Sequence, residues 1–277
     1  MQLPPRTPQQ GNVMTKVYDC FMFNGEWDIL ELRLNTHDPV VDYFVIVESC
    51  YTFVGELKPL AFDVTNPIVK DFLHKIRYVL VTDMPNTGNP WHNEIHQRDC
   101  IVRGLWDASA HDLVIINDCD EIIKPHCIQQ AIGEYQFDFF GFQQPMYYCF
   151  MNYRMTGHYA DKVWSVAVRK HMLDMHSATH YRGAIGSGQH FVFGNAGWHY
   201  SYMMDLEQIK NKIRNFSHQE FNNSEFLNSL DPVVTAKQNK DLLGRDYITW
   251  QKEDPSQVDL PVYVRQNLDK YKKYLLE

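Results

Sequence analysis

The sequence predicts an α/β fold whose first half is built on a mostly parallel sheet. Within residues 16–118, four segments rich in Val, Ile and Phe alternate with segments of helical spacing. Such alternation is typical of βαβ units, in which a crossover helix returns the chain to a parallel strand. The second segment, DYFVIVES, is apolar almost without interruption, as are strands covered on both faces. The pattern therefore favours a Rossmann-like sheet flanked by helices.

The first helix of this half is expected between the first two strands. The predicted strands are KVYDCFMF (16–23), DYFVIVES (42–49), IRYVLVTD (76–83) and DLVIIND (112–118). Trp27, Leu30 and Leu34 recur at helical spacing after the first of them and predict a short amphipathic helix. Asn24 is expected to cap the start of that helix, and Asp38 precedes the proline that ends it.

The longest predicted helix of this half runs from Trp91 to Ala108, after a short helical stretch at 67–75. The apolar residues that share its predicted inner face are Trp91, Ile95, Val102 and Leu105. The position missing from this face is occupied by Arg98. Because a buried guanidinium is costly without an anion, we expect Arg98 to meet either Asp118 or the phosphate of a ligand.

The pattern changes after residue 137, where longer strands in a mixed or antiparallel arrangement are expected. They are FDFFGFQQPMYYCFMNY (137–153) and KVWSVAVRK (162–170). The segment RGAIGSGQ (182–189) is interpreted as a Gly-rich mobile loop, and it lacks the signature of a phosphate-binding P-loop. The second half is therefore expected to be a mixed extension of the parallel sheet.

Helices are expected towards the end of the chain. Asp205 and Gln208 have the spacing of a capping box, which assigns Asp205 a structural role. The apolar face of the helix that they begin consists of Leu206, Ile209, Ile213 and Phe216. The Lys- and Tyr-rich tail, 264–276, is predicted to be a packed surface helix.

The overall composition argues against a nucleic-acid-binding protein. The chain of 277 residues has a formal net charge of −8 and an isoelectric point near 5.9, whereas a nucleic-acid groove needs a basic footprint. Aromatic residues make up 14% of the chain. Their faces suit a sugar or a nucleobase, although large cores also contain many aromatic residues.

The cysteine pattern and the N-terminus bear on the compartment. The six cysteines are scattered without a C-x-x-C pair, as expected of free thiols in a reduced compartment. The N-terminal segment has no apolar core of a secretory signal, and no run of 18 apolar residues occurs. We therefore expect a cytoplasmic protein without a membrane span, unless the chain is a trimmed ectodomain.

Three carboxylates are crowded at the predicted end of the fourth strand, in the stretch VIINDCDEI. They are Asp118, Asp120 and Glu121, and the first two form a D-x-D motif. Either they make a solvated turn or they hold a cation, and the spacing alone does not decide. Polar residues also follow the other predicted strands, at Asn24, Glu48 and Asp83. Since ligands of open α/β sheets bind outside the carboxyl ends of the strands, a nucleotide cleft is one interpretation of this pattern.

Several motifs, in order along the chain, resemble glycosyltransferase family 17. They are VYDCFMFNGEWDILELRLNTHDPVVDYFVIVES, YTFVGELKPL, WHNEIHQRD, IINDCDEI and AGWHYSY followed by KIRNFSH. The resemblance covers about 16–220 and implies a GT-A-type nucleotide-sugar-binding fold. It also implies a nucleotide-sugar donor, a divalent metal and inversion at the anomeric carbon. For the domain organisation, we expect a flexible segment at 1–15 and a single domain at 16–277, with a nucleotide-binding half at 16–123 and an acceptor-side half with the C-terminal helices at 124–277.

The resemblance implies a set of donor and metal contacts. Asp120 is expected to bind Mn²⁺ or Mg²⁺ directly, and Asp118 to bind the ribose or a metal-bound water, while Glu121 is structural. A third metal ligand is expected from a later histidine, His199 or alternatively His218. Further donor contacts are expected from Glu48, towards the uracil or the ribose, and from Arg98, towards the diphosphate.

An inverting transfer also needs a general base for the acceptor hydroxyl. The sequence leaves three candidates open, Asp161, His199 and Glu207. Trp198 is a residue that could stack on a sugar or pack in the core. The predicted function is a metal-dependent inverting transfer of a sugar, GlcNAc from UDP-GlcNAc, onto a glycan hydroxyl. A metal-dependent phosphohydrolase and a catalytically inactive carbohydrate- or nucleotide-sugar-binding relative are the alternatives. If the chain is a trimmed ectodomain, the implied compartment is the Golgi lumen.

Overall fold

The computed structural model describes residues 15–85, 87–185 and 190–277. The predicted flexible segment 1–15 lies outside this part except for its last residue. The Gly-rich loop predicted at 182–189 lies outside it from residue 186 onwards.

The first half forms a parallel sheet with the four predicted strands. They are β1 (Val17–Met22), β2 (Tyr43–Ser49), β3 (Ile76–Val81) and β4 (Leu113–Asp118). Strand β1 lies between β2 and β4, and β3 pairs with the outer side of β2, all in parallel. The prediction of a mostly parallel first half is confirmed.

Alternate residues of the central strands enter two different hydrophobic clusters. In β2, Phe44 and Ile46 pack on one face of the sheet, whereas Val45 and Val47 pack on the other. Neighbouring side chains of a strand point to opposite faces. Both faces of β2 are therefore covered, which explains why its sequence is continuously apolar.

The helices of the first half differ in part from the prediction. They are α1 (Trp27–His37), a 3₁₀ helix (Pro67–Phe72), α2 (Pro90–Asp99) and a second 3₁₀ helix (Cys100–Gly104). The expected cap at Asn24 is wrong, because α1 starts after Glu26 and has no side-chain cap. The helix expected at 91–108 is also wrong in length, since its α-helical part ends at Asp99.

The predicted inner face of α2 is wrong, although Arg98 is buried as expected. Trp91 and Ile95 are 44% and 40% exposed, and α2 buries Asn93, Gln97 and Arg98 instead. The side-chain amides of Asn93 and Gln97 donate to backbone carbonyls, that of Asn93 to Phe53 O at 2.8 Å and that of Gln97 to Val47 O at 3.3 Å. The helix thus packs a polar face against the end of the sheet.

The second half extends the sheet with antiparallel and parallel strands, as predicted. Its strands are β5 (Glu121–Ile123), β6 (Phe139–Tyr148), β7 (Tyr153–Thr156), β8 (Asp161–Arg169), β9 (Phe191–Phe193), β10 (Gly197–Ser201) and β11 (Thr249–Lys252). Strand β8 pairs antiparallel with both β4 and β6, and so joins the halves. On β6, β9 and β10 are added in parallel. The mixed α/β fold class is confirmed.

The helices of the second half surround this extension. They are α3 (Pro125–Gly133), α4 (Ala178–Gly183), α5 (Leu206–Asn215), α6 (Ser224–Ser229), α7 (Pro232–Lys237), α8 (Val262–Gln266) and α9 (Leu268–Tyr271), with 3₁₀ turns at Gly157–Tyr159, Lys170–Asp174, Gln219–Phe221 and Lys272–Tyr274. The predicted capping box of Asp205 and Gln208 begins α5. The tail predicted as one helix is broken into α8, α9 and a 3₁₀ turn.

The C-terminal helices pack on α1, where Tyr263 Oη donates to Glu31 Oε1 at 2.8 Å and Tyr271 Oη to Asp28 O at 3.2 Å. The six cysteines are unpaired. Among the helices of the described ranges, none has the length and apolar character needed to cross a membrane.

Candidate active site

A cavity of about 320 Å³ opens at the carboxyl ends of β1 and β4. Its polar lining includes Glu26, Glu94, Arg98, Asp118, Asp120, His199 and Lys212. Its aromatic lining includes Tyr51, Phe53, Trp91, Tyr148, Tyr202 and Phe216. The predicted cleft at the strand ends is therefore present, and it combines charged groups with aromatic faces.

The turn that carries the carboxylates is held from below by Arg33 of α1. The Arg33 side chain is fully buried, and its Nη1 donates to the carbonyl oxygens of Asp118 at 3.1 Å, Cys119 at 3.1 Å and Glu121 at 2.9 Å. A turn has few backbone partners of its own, so a buried guanidinium with several donors can fix its shape.

Arg33 is in turn paired with Asp19 of β1. Arg33 Nε donates to Asp19 Oδ2 at 2.9 Å, and His37 Nδ1 lies 2.8 Å from the same oxygen. Burial alone would raise the pKa of Asp19, but Arg33 and His37 outweigh burial and hold that pKa at about 2. Asp19 is therefore ionised under the turn at neutral pH.

Asp118 is contacted by two arginines. Arg98 Nη2 lies 3.2 Å from Oδ1, and Arg182 Nη2 lies 3.1 Å from Oδ2. Burial alone would raise the pKa of Asp118, but Arg182 and Arg98 together hold it well below its usual range. The expected ion pair between Arg98 and Asp118 is present, and Arg98 also binds Glu94 at 3.0 Å.

Glu121 is fully buried and belongs to the same network. Arg182 binds it through two nitrogens, at 2.6 and 2.9 Å, and Glu121 Oε2 accepts the Asp118 backbone N–H at 3.0 Å. The hydrogen bond from the Asp118 N–H closes the turn, and Arg182 joins the Glu121 carboxylate to that of Asp118. Its structural role is supported by these contacts.

Asp120 points into the cavity between an imidazole and an ammonium group. Its Oδ1 lies 3.6 Å from His199 Nε2, and its Oδ2 lies 3.4 Å from Lys212 Nζ. Lys212 is also 3.7 Å from Glu26. Burial alone would lower the pKa of Lys212, but Asp120 and Glu26 raise it above its usual value. Lys212 is therefore a permanent cation beside Asp120.

Asp120 and His199 fit a divalent metal. Two donors bound to one Mn²⁺, Mg²⁺ or Zn²⁺ lie about 3 to 3.5 Å apart, close to the 3.6 Å between Asp120 Oδ1 and His199 Nε2. The other ring nitrogen of His199 is buried without a hydrogen-bond partner among the described residues. Asp118 fits less well as a direct ligand, because both its carboxylate oxygens are bound by arginines. It also does not form a group with Asp120 and His199 in which one donor atom of each residue lies within 4.8 Å of the other two.

The charges around this pair favour a cation. The clustered carboxylates are Glu26, Glu94, Asp118, Asp120 and Glu121, and the cations bound to them are Arg98, Arg182 and Lys212. The cluster therefore has an excess of two negative charges, equal to the charge of one divalent ion. Uncompensated charge in a largely buried cluster is costly, so a metal ion would stabilise it.

Glu48 lies elsewhere than the predicted donor contact requires. Its side chain is fully buried, and it accepts hydrogen bonds from the backbone of Ala61 at 2.6 Å and Phe62 at 3.1 Å. Lys58 Nζ and Tyr78 Oη also donate hydrogen bonds to this carboxylate, at 3.2 and 2.9 Å. We correct the assignment, because the carboxylate holds the loop at 58–62 and does not line the cavity.

Two of the three candidate bases lie outside the cavity. Asp161 pairs with Arg154 at 2.9 Å and lines a second cavity, of about 650 Å³, on the other face of β6. Glu207 projects from the first turn of α5 with a side chain 76% exposed, and it pairs with Lys210. Neither is retained as a base, and of the three only His199 lines the first cavity.

The remaining predicted residues are placed as follows. His218 lines the cavity near its rim, against Trp91 at a ring-centroid distance of 4.8 Å, and pairs with Glu220 at 2.8 Å. His218 therefore has a close hydrogen-bond partner in Glu220, whereas His199 lies 3.6 Å from Asp120. Trp198 is 5% exposed and donates to Asp259 O, so it packs in the core and does not offer its face to a sugar.

Arg33, Arg182 and Lys212 were not found from the sequence. Lys212 lies within the motif KIRNFSH, so the family resemblance contained a signal for it. Arg33 lies within the first of the quoted motifs, so the resemblance contained a signal for it as well. Arg182 is the first residue of the Gly-rich segment 182–189, and no pattern in the sequence marks it as buried.

The family model of Glycosyltransferase family 17 matches residues 7–277. The chain belongs to this family. The curated relatives include β-1,4-mannosyl-glycoprotein 4-β-N-acetylglucosaminyltransferase from Rattus norvegicus and from Homo sapiens, each 33% identical over 118 residues. That match covers 40% of this chain and 22% of each relative's length.

Solved structures give more distant similarities. Glucosyl-3-phosphoglycerate synthase from Mycobacterium tuberculosis, in complex with Mn²⁺ and UDP-glucose, has a TM-score of 0.39 at 11% identity, over 70% of this chain and 74% of that one. Galactosyltransferase LgtC, in complex with donor and acceptor sugar analogs, also has a TM-score of 0.39, at 8% identity, over 95% of this chain and 97% of that one.

Proposed function

We propose that this protein is a metal-dependent inverting glycosyltransferase of the GT-A type that moves GlcNAc from UDP-GlcNAc onto a glycan hydroxyl. The observation that carries the proposal is the pair of Asp120 and His199, 3.6 Å apart at the end of β4 in a charged and aromatic cavity. Family membership supports the reaction class, and the name of the curated relatives supports the donor sugar.

Asp120 and His199 would hold the metal. When bound, a divalent cation there would act as a Lewis acid on the diphosphate of the donor. The two residues offer a carboxylate oxygen and an imidazole nitrogen, a set that suits Mn²⁺. Asp118 would contact the ribose or a metal-bound water, because its carboxylate is 34% exposed beside them.

The arginines next to Asp118 would bind the leaving diphosphate. Arg98 and Arg182 are fixed by Glu94 and Glu121, so their positions are set before the donor arrives. Preorganised cations of this kind stabilise charge that develops on a leaving group. Each also pairs with Asp118, and a diphosphate can replace that carboxylate as the partner.

The aromatic lining would receive the flat groups of the donor. Phe53 and Trp91 line the same cavity as the carboxylates, and Trp91 is 44% exposed. Aromatic faces stack on nucleobases and on the apolar faces of sugars. A cavity lined by both cations and aromatic rings suits a nucleoside diphosphate attached to a sugar.

A panel of nucleotide sugars tests the donor class. The purified chain would be heated with UDP-GlcNAc, UDP-glucose, UDP-galactose or GDP-mannose, each with and without Mn²⁺. A ligand that binds the folded state at about 100 times its dissociation constant stabilises it by about 2.7 kcal/mol. We expect UDP-GlcNAc with Mn²⁺ to raise the melting temperature most.

Turnover separates the transferase from the two alternatives. We expect UDP release from UDP-GlcNAc to be slow alone and faster with an acceptor glycan, whose new linkage is β by NMR. Phosphate release from simple phosphoesters without consumption of UDP-GlcNAc would favour a phosphohydrolase. Binding of the donor without UDP release under any condition would favour an inactive relative.

A further inference from the structure

A second group of metal-ligating side chains lies away from the cavity. Asp83 follows β3, His96 is in the last turn of α2, and Cys100 directly follows that helix. One donor atom of each lies within 4.8 Å of the other two, and these three are the one such group found among the described residues. None of the three lines the cavity of Asp120 and His199.

The distances of this group fit a tetrahedral metal. His96 Nε2 lies 3.6 Å from Asp83 Oδ1, close to the separation of about 3.3 to 3.5 Å between a nitrogen and an oxygen bound to one tetrahedral Zn²⁺. His96 and Cys100 are four residues apart, which places both side chains on one face of a helical turn. Little movement is therefore needed for the three donors to close on one ion.

The chemistry of the donors favours zinc over the hard cations. A thiolate and an imidazole suit Zn²⁺, whereas Mg²⁺ prefers oxygen ligands. A thiolate of Cys100 and the carboxylate of Asp83 would together neutralise the charge of the ion. His96 Nε2 is moreover buried without a hydrogen-bond partner among the described residues, so this nitrogen is available.

Arg103 supplies the charge balance of Asp83 when no metal is present. It binds both carboxylate oxygens, at 2.8 and 2.7 Å, and the two side chains are 40% and 54% exposed. Each carboxylate oxygen has a further lone pair, so a metal and Arg103 can share Asp83. The guanidinium would nevertheless repel the ion and weaken its binding.

We propose that Asp83, His96 and Cys100 form a Zn²⁺ site that fastens α2 to the end of β3. The fourth position of the ion would be taken by water. Helix α2 carries Arg98, which binds Asp118 at 3.2 Å, so the ion would hold in place the helix that presents Arg98 to the cavity. The proposal does not depend on the donor or on the reaction.

Cobalt binding tests the site, because a Co²⁺–thiolate bond gives a near-ultraviolet charge-transfer band that oxygen and nitrogen ligands do not. The full chain would be titrated with Co²⁺ and then with Zn²⁺, which should displace it. We expect the band in the wild-type protein and in Cys50→Ser, a control at a half-buried thiol outside the group. Cys100→Ser should lose it, and Asp120→Asn, which alters the cavity, should keep it.

Surface variants supply a second test should Cys100→Ser fail to fold. His96→Gln and Asp83→Asn should raise the dissociation constant of Co²⁺ about tenfold or more. Arg103→Gln should lower it, because the competing guanidinium is gone. An absent band in the wild-type protein, a band that survives Cys100→Ser, or equal affinities in all these variants would overturn the proposal.

Discussion

Asp19 and Arg33 form an ion pair in which neither side chain is exposed to solvent. From this pair, Arg33 reaches three carbonyl oxygens of the turn that carries Asp118 and Asp120. A salt bridge of this kind adds little net stability over an apolar pair, but it is costly to break on one side only. The shape of the candidate metal site therefore depends on two residues that no ligand can touch.

Removal of Arg33 alone should be strongly destabilising. Arg33→Met leaves Asp19 as a buried charge and three carbonyl oxygens with one partner fewer, so we expect a loss of about 3 to 5 kcal/mol in the free energy of unfolding. The measurement is urea unfolding at neutral pH. The double variant Arg33→Met/Asp19→Leu should recover part of the loss, and Arg214→Lys, at an exposed arginine of α5, should change stability by about 0.5 kcal/mol or less. A loss below 1 kcal/mol in Arg33→Met would contradict this account.

Acid should remove the contribution of Asp19 in a defined range. The pKa of this carboxyl is about 2 in the folded protein and about 3.9 when unfolded, and this difference corresponds to about 2.5 kcal/mol of stability. Because the folded pKa is the lower one, this stability is present above about pH 4 and is lost as the pH falls towards 2. Urea unfolding between pH 5 and pH 2 checks this: Asp19→Asn should show a shallower decline than wild type by about that amount. Parallel curves for the two proteins would argue against an ionised Asp19.

Asp120→Asn should abolish most of the transferase activity. A metal that polarises the leaving group contributes several kcal/mol, so we expect a fall in kcat of about 100-fold or more at saturating Mn²⁺. UDP release with donor and acceptor is the assay. Glu207→Gln, at an exposed carboxylate on α5, should retain wild-type rates. Wild-type turnover by Asp120→Asn would remove Asp120 from the metal site.

His199→Gln distinguishes two roles that Nε2 of His199 could have, metal ligation and proton transfer, because the two roles predict different kinetic changes. If His199 is a metal ligand, its replacement should raise the half-saturating Mn²⁺ concentration about 10- to 100-fold. As a general base, it should lower kcat without a change in the Mn²⁺ dependence. We expect the first result, read from activity as a function of Mn²⁺ concentration, with His218→Gln as the matched control.

Lys212→Met should increase the affinity of the site for Mn²⁺. The ammonium lies 3.4 Å from Asp120 Oδ2 and stays protonated, so it competes with a cation for this carboxylate. We expect a several-fold lower half-saturating Mn²⁺ concentration in the variant. A raised KM for the donor at unchanged Mn²⁺ dependence would instead identify Lys212 as a phosphate contact.

The sequence was a good guide to the sheet and to the strand ends. The four parallel strands followed from apolar runs such as DYFVIVES, although only the inner strands are covered on both faces and β3, at the edge, exposes Tyr78 and Leu80. Asp118 and Asp120 were found for the same reason, since they directly follow one of those runs. These features depend on local sequence alone.

The partners of these carboxylates could not be predicted in the same way. Arg182 and Lys212 meet the turn from 64 and 92 residues away along the chain, and no periodicity relates them to it. Helix α2 misled for a different reason, because it buries amides that bind strand-end carbonyls and exposes its apolar side chains. Sequence patterns assume that the inner face is the apolar one, and this assumption fails where a helix borders a polar site.

Strand β6 separates two spaces of different character. Met146 and Tyr148 line the charged cavity, whereas Gln143, Pro145 and Tyr147 line the second one. The pairing of β6 with β8 shifts between Phe142 and Gln143, where β8 carries one extra residue, Trp164, and beyond this shift the β6 side chains from Pro145 to Tyr148 enter the two spaces in alternation. A point substitution can therefore retune one chamber without entering the other, whereas a one-residue insertion or deletion after this shift would exchange the linings of both.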